Sequence, residues 1–280
     1  MADISVIVAT YNRPDALGAC LRALGRQTAK DFEIVVADDG SGPATREAIA
    51  TWKARFGVPL THVWQEDRGF RLAEIRNRAI AASNGDYLVF LDGDCIAPCR
   101  FVAAHRALAE PGCFVAGNRA LLSRSLTEEI LANNLEPERW NVLSWAQHRM
   151  RGDINRLLPL ISLPLGPVRK RLATEWEGVR GGNFAFHRAD LERVDGFETA
   201  FTGWGLEDSD IVIRMIRAGV RRKDGRFATG VLHLWHPEAD RSRFAANKTQ
   251  LAELITSDRV RAVSGLSSLT HERSTAAAAR

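Results

Sequence analysis

GDYLVFLDGD, residues 85–94, is an apolar run that stops on two aspartates separated by glycine. So short a run of aromatic, Val and Leu residues reads as a strand buried on both faces, as in a parallel sheet. The same design occurs twice upstream. ISVIVAT (4–10) runs into TYNRP, and FEIVVADDGS (32–41) ends in paired aspartates. Helical patterns lie between these strands. Asn12 and Pro14 are start signals for a helix with Leu17, Cys20, Leu21 and Leu24 as its apolar stripe. A second helix is expected from about 43 to 56, followed by the strand THVWQ, and a third over 71–83 with Leu72, Ile75, Ala79 and Ile80 on one face. Strand–helix alternation of this kind predicts an α/β fold: a mostly parallel central sheet flanked by helices. Ligands of such sheets gather beyond the carboxyl ends of the strands, where TYNRP, DDGS and DGD all fall.

Composition sets broad limits. The chain has 280 residues, of which 45% are hydrophobic and 26% charged, with a formal net charge of +4. That is ordinary globular composition, long enough to bury a full core without disulfides or a structural metal. The mild arginine excess suits anionic small molecules or an anionic membrane face, and the arginines form no recognised nucleic-acid-binding motif. Cys20, Cys95, Cys99 and Cys113 lack metal-finger spacing and read as reduced thiols of a cytoplasmic protein. The apolar start is too short for a signal peptide, and nothing reaches transmembrane length. A soluble protein, at most peripheral at the inner face of a membrane, is expected.

The organisation expected is fourfold. Residues 1–118 form a nucleotide-binding half. Residues 119–175 are a helical and loop insertion on the acceptor or membrane side, containing the proline-broken RLLPLISLPLGPVRKRL. Residues 176–245 form a second half with the strand GGNFAFHR and the short helix ADLERV, and residues 246–280 a C-terminal helix and a flexible tail.

Asp92 and Asp94, two apart around Gly93, can wrap one hard cation whose shell phosphate oxygens complete, although the same residues also favour a plain turn. An aspartate of DDGS can accept the imide N–H of uracil or hold a ribose hydroxyl. TYNRP offers a helix start and Arg13, both suited to a pyrophosphate. In FTGWGLEDSD (201–210), Glu207, Asp208 and Asp210 crowd a helix start. Capping and the helix dipole account for acids there as readily as catalysis does.

Taken in order, ISVIVATYNRP, FEIVVADDGS, DRGFRLAEIRNRAIAASNGDYLVFLDGD, GGNFAFHR, DGFETAFTGWGLEDSD and HLWH resemble the family 2 glycosyltransferases of GT-A fold. The stretch from Gln65 to Pro98 is most similar to bacterial chondroitin and hyaluronan polymerases. The later motifs are similar to the carboxyl-terminal half those polymerases share with the animal β-1,4-galactosyltransferases. The resemblance implies that Asp39 holds the nucleotide base, with Thr10, Tyr11 and Arg13 lining the same pocket, and that Arg76 faces the donor phosphates or ribose. It implies that Asp92, Gly93 and Asp94 form the D-x-D, with Asp94 the direct ligand of Mn²⁺ or Mg²⁺. His236 is the preferred histidine ligand; His233 joins it only if the chain turns between them, because residues three apart on a straight strand face opposite ways. Asp208 takes the place of the general base, Glu207 that of an acceptor-binding carboxylate, and Trp204 stacks on a sugar. Gly181 and Gly182 let the backbone approach the donor. Asp210 is expected to cap or bond within the turn, and Trp235 to be core.

One departure stands out: where the family often has W-G-G-E-D, Leu206 replaces the second glycine. The expected activity is inverting, metal-dependent transfer of a hexose or N-acetylhexosamine from a UDP-sugar to a glycan or lipid-linked hydroxyl, in bacterial surface polysaccharide synthesis. A non-catalytic sugar-nucleotide-binding module and a sugar-nucleotide pyrophosphorylase are the alternatives. No nucleic-acid partner is expected.

Overall fold

The computed structural model describes residues 3–269. Its first half follows the alternation. β1 (Ile4–Thr10), β2 (Phe32–Asp38), β3 (Leu60–Trp64) and β4 (Tyr87–Asp92) alternate with α1 (Pro14–Gly25), α2 (Pro43–Lys53) and α3 (Leu72–Ala82). Leu17, Cys20, Leu21 and Leu24 of α1 are all buried against the sheet. Prolines at the starts of α1 and α2 fit a first turn, where no backbone N–H is needed and φ is already helical. The sequence pattern did not single out β5 (Cys95–Ile96), α4 (Phe101–Leu108), β6 (Cys113–Ala116) or β7 (Arg119–Leu121). These are too short to show a period.

Onward come α5 (Arg124–Ala132), α6 (Val142–Met150), three short 3₁₀ turns, β8 (Asn183–His187) and α7 (Arg188–Arg193). The chain then forms α8 (Glu207–Arg217), β9 (Arg221–Asp224), β10 (Val231–His233) and α9 (Phe244–Thr256). The flexible tail expected at the C-terminus falls largely on residues 270–280, outside the described residues.

The main sheet has the order β3-β2-β1-β4-β8-β6-β9. Every neighbouring pair is parallel except those made by β8, which runs antiparallel to both β4 and β6. β8 therefore begins at the edge where the parallel strands end. Register makes this concrete: Thr10 pairs with Asp38, Ala9 with Asp92 and Leu91 with Asn183. The ends of β1, β2 and β4 and the entry to β8 share one rim. A second sheet, β5-β10-β7, lies beside that rim and aligns Cys95, His233 and Leu121. Two apolar cores cover the two faces of the main sheet, and a third packs α5 and α6 on the small sheet.

Candidate active site

The tight turn after β4 fixes the D-x-D. Gly93 donates its N–H to the Ala9 carbonyl at 2.7 Å, and a Cβ there would lie 2.7 Å from that oxygen. Only glycine fits so close an approach. Asp94 then lies next to both histidines: His233 Nε2 is 3.5 Å from Oδ1 and His236 Nε2 is 3.4 Å from Oδ2. β10 ends at His233, so the chain does turn before His236, and the two rings lie 5.2 Å apart between centroids. Both histidines thus reach the same carboxylate, which a continued strand would have prevented. Burial pushes the Asp94 pKa up and the His233 pKa down, with Asp94 and His233 each partly offsetting the other's shift. A neutral imidazole is the form that ligates metal. One carboxylate and two imidazoles converging in this way form a donor set that can hold a divalent cation. Cys95 Sγ is also near, 3.8 Å from Asp94 Oδ1. Burial followed by the Asp94 charge pushes its thiol pKa well up in the absence of a cation.

Arg76 occupies a different place from the one expected of it. Its side chain, 1% exposed, donates to Gly181 O at 2.9 Å and Glu207 Oε1 at 3.2 Å, and faces Asp92 Oδ1 at 3.4 Å. Its guanidinium also lies over the rings of Phe184 and Phe197. So enclosed, it has almost no surface to offer phosphates or ribose. It ties the D-x-D to the W-G-L-E-D segment.

Gly181 and Gly182 make that junction possible. A Cβ on Gly182 would lie 2.2 Å from Asp92 Oδ2, and one on Gly181 would lie 3.1 Å from both Arg76 and Asp208. Within the protein these glycines make room for the acids. Gly181 N–H donates to Asp208 Oδ2 at 2.9 Å, while Ser209 N–H donates to Oδ1 at 2.7 Å. Asp208 is therefore held by two backbone donors at the first turn of α8. Glu207 is buried beside it. Burial, then the Asp208 charge, push the Glu207 pKa up to about 7 against the opposing pull of Arg76.

A second group gathers at the ends of β1 and β2. Asp39 accepts from Gln65 Nε2 at 2.5 Å and from the Arg71 N–H at 2.7 Å, and burial pushes its pKa up to about 6. Thr10 is buried at the same rim, and the exposed Tyr11 donates to Asp67 at 2.8 Å. Arg13 turns instead to Asp15, at 3.0 Å. Trp204 is exposed on its loop, with Arg241 lying 4.8 Å over its ring.

Two further expectations need correction. Asp210 does not cap: it is fully buried and bonds Arg214 Nε at 2.8 Å, with Arg259 at 3.3 Å. An i,i+4 partner one turn on outcompetes the helix end for its oxygens. Trp235 is not core; it is exposed under the Arg124 guanidinium. The sequence reading also missed Gln65, Asp67 and Arg119. Gln65 closes on Asp39 through the β2–β3 pairing, and Arg119 lies 3.8 Å from Asp92 Oδ2. No local pattern marks either residue.

The family model "Glycosyl transferase family 2" matches residues 5–153, and "N-terminal domain of galactosyltransferase" matches residues 168–237. The chain belongs to glycosyl transferase family 2, and its class is that of enzymes that transfer sugars. Validoxylamine A glucosyltransferase of Streptomyces hygroscopicus subsp. jinggangensis is 30% identical over 81% of this chain and 54% of its own length. Chondroitin synthase of Escherichia coli is 27% identical over 77% of this chain and 32% of its own. The chain thus spans about half, or less, of these relatives. The fold is similar to that of a Pyrobaculum calidifontis mannosyltransferase in complex with GDP-Man and Mn²⁺, with a TM-score of 0.61 and 22% identity over 92% of this chain and 65% of that one. It is also similar to S. aureus TarS 1–349 in complex with UDP-GlcNAc, with a TM-score of 0.60 and 15% identity over 90% of this chain and 66% of that one. A mostly parallel α/β sheet of GT-A type is therefore the fold. Among the described residues no helix is long and apolar enough to cross a membrane.

Proposed function

We propose that this protein is an inverting glycosyltransferase that moves a hexose or N-acetylhexosamine from a UDP-sugar to a hydroxyl of a glycan or lipid-linked acceptor in bacterial surface polysaccharide synthesis. The observation that supports this reading is the Arg76 bridge from Asp92 to Glu207, which joins the D-x-D to the Glu207–Asp208 pair through one guanidinium. A non-catalytic binding module has no need of that junction. Asp94, His233 and His236 would hold a divalent cation, which when bound supplies positive charge against the departing diphosphate. Asp39, at the rim with Thr10 and Tyr11, would accept an N–H of the base.

Asp208 takes the proton of the acceptor hydroxyl as its oxygen forms the new bond to the anomeric carbon. The bond from that carbon to the phosphate oxygen breaks, and its electron pair leaves with the nucleoside diphosphate. Attack opposite the leaving group inverts the centre. The two N–H donors on Asp208 keep its carboxylate aimed without rearrangement. Glu207 holds the acceptor, and Trp204 offers a ring for a sugar face.

The domain boundaries above are retained in this reading. Of residues 119–175, those beyond β7 face the acceptor or the cytoplasmic face of the inner membrane, with α6 as the element in contact.

The test is a screen of UDP- and GDP-sugars for Mn²⁺-dependent donor hydrolysis, followed by transfer with the wild type and Asp208→Asn. The variant is expected to bind UDP as the wild type does and to lose about 10²-fold or more of its transfer rate. Transfer within a few-fold of wild type would remove Asp208 from the role. No hydrolysis of any sugar nucleotide would remove the whole reading.

A further inference from the structure

Asp92, Asp94 and Asp208 gather at one rim, so a diphosphate bound there is favoured by cationic side chains in addition to a divalent cation. Most nearby arginines are already committed. Arg76 is enclosed by Glu207, Asp92 and Gly181 O, Arg13 pairs with Asp15, and Arg71 bonds Glu74 and Glu66 O. Arg119 differs. Its side chain is 31% exposed, and among the described residues its guanidinium donates no hydrogen bond to the protein. It forms an ion pair with Asp92 Oδ2 at 3.8 Å, too long for a hydrogen bond, and its NH1 lies 3.3 Å from where a Gly182 Cβ would be. Register explains its position. On the parallel pair β7–β10, Arg119 is opposite Val231 and Leu121 opposite His233, so Arg119 and His233 project from the same face of the small sheet. The strand that brings a histidine to Asp94 thus has beside it a strand that brings a cation to Asp92. A guanidinium with unspent donors, fixed on a strand at the rim of an acidic cleft, is suited to paired phosphate oxygens.

We infer that Arg119 is a donor-binding residue that contacts the diphosphate of the sugar nucleotide and stabilises it as a leaving group. This rests on the sugar-nucleotide reading above. The alternative is an arginine that only balances the charge of Asp92.

Calorimetric titration of the full chain with uridine, UMP and UDP separates these, with Mn²⁺ and again with EDTA. Wild type is expected to prefer UDP to uridine in both conditions. Arg119→Ala should reduce that preference about tenfold with uridine affinity unchanged, and Arg119→Lys should restore part of it. A UDP-to-uridine ratio within twofold of wild type in Arg119→Ala would overturn the inference. Loss of uridine binding together with UDP binding in that variant, with Arg119→Lys restoring both equally, would also overturn it by showing a structural role. If wild type instead binds GDP over guanosine, the uridine reading fails, and the same ratio is read with that pair. If it binds no nucleoside diphosphate, the donor reading fails and the inference with it.

Discussion

Leu206 sits at φ 80°, ψ −5°, a left-handed conformation that costs an L-residue roughly 1–2 kcal/mol and glycine nothing. This is the position where the resemblance leads one to expect a second glycine, so the backbone keeps glycine's conformation without glycine. The side chain offers partial compensation by packing on Phe201, Ile213, Leu251 and Leu254. Two substitutions separate strain from packing. Leu206→Ala keeps the strain and loses the packing, whereas Leu206→Gly loses the packing and relieves the strain. The glycine variant is expected to be more stable than the alanine variant by about 1 kcal/mol in urea denaturation. Equal stabilities would show that the turn is not strained. Residue identity at this site was legible in the sequence, but its backbone angle was not. The acids show the same division: DGD and LEDSD are plain in the sequence, yet nothing local says that Asp210 bonds Arg214 while Asp208 takes the N–H of Gly181.

At the scale of elements, α6 is the least accounted for by the core. Trp145 faces inward, packed near Trp140 and His148. Val142, Leu143 and Met150, at 77%, 69% and 80% exposure, share the outward face with Ala146 at helical spacing. Arg149 and Arg151 are exposed at the end of this helix, and from 139 to 174 the sequence has seven cations, of which Arg169 is buried and Arg139 and Lys170 pair with Glu136 and Glu110, against the single acid Asp153. That combination complements an anionic lipid surface. The full chain is expected to co-sediment with phosphatidylglycerol-containing vesicles and not with phosphatidylcholine alone. Replacing Val142, Leu143 and Met150 by Ser should weaken this about tenfold. Equal sedimentation of wild type and variant would remove α6 from membrane contact. The long elements with a clear period, β1 to β4 and α1 to α3, were readable because one face or both are buried throughout. β7, β9 and β10 were not, because three or four residues show no period and their pairing partners are distant in the chain.

Over the whole molecule, site and stability are linked through Glu207. Its folded pKa stands near 7 against an ordinary 4.5, so the folded chain binds that proton more tightly than the unfolded chain does. The stabilisation is complete below the ordinary value and is lost as pH rises toward 7. Asp39, raised to about 6, acts in the same direction over a lower window. Wild-type stability, measured by urea denaturation in steps from pH 5 to 8, should therefore contain a falling component that Glu207→Gln removes in part. Parallel profiles for the two proteins would show that Glu207 is not held protonated by the fold. A cleft that disfavours its own charges in this way is ready for a cation and an acceptor that relieve them.

By itself the sequence determined the α/β alternation, the rim on which the acids collect and the family, since buried strands and their polar ends are written locally. Only the tertiary structure decided that Arg76 is enclosed between Asp92 and Glu207, that both His233 and His236 reach Asp94, and that Arg119 faces Asp92 beside them. Those relations depend on β8 entering the sheet antiparallel and on the pairing of β10 with β5 and β7. Both join residues far apart in the chain, where no local pattern reaches.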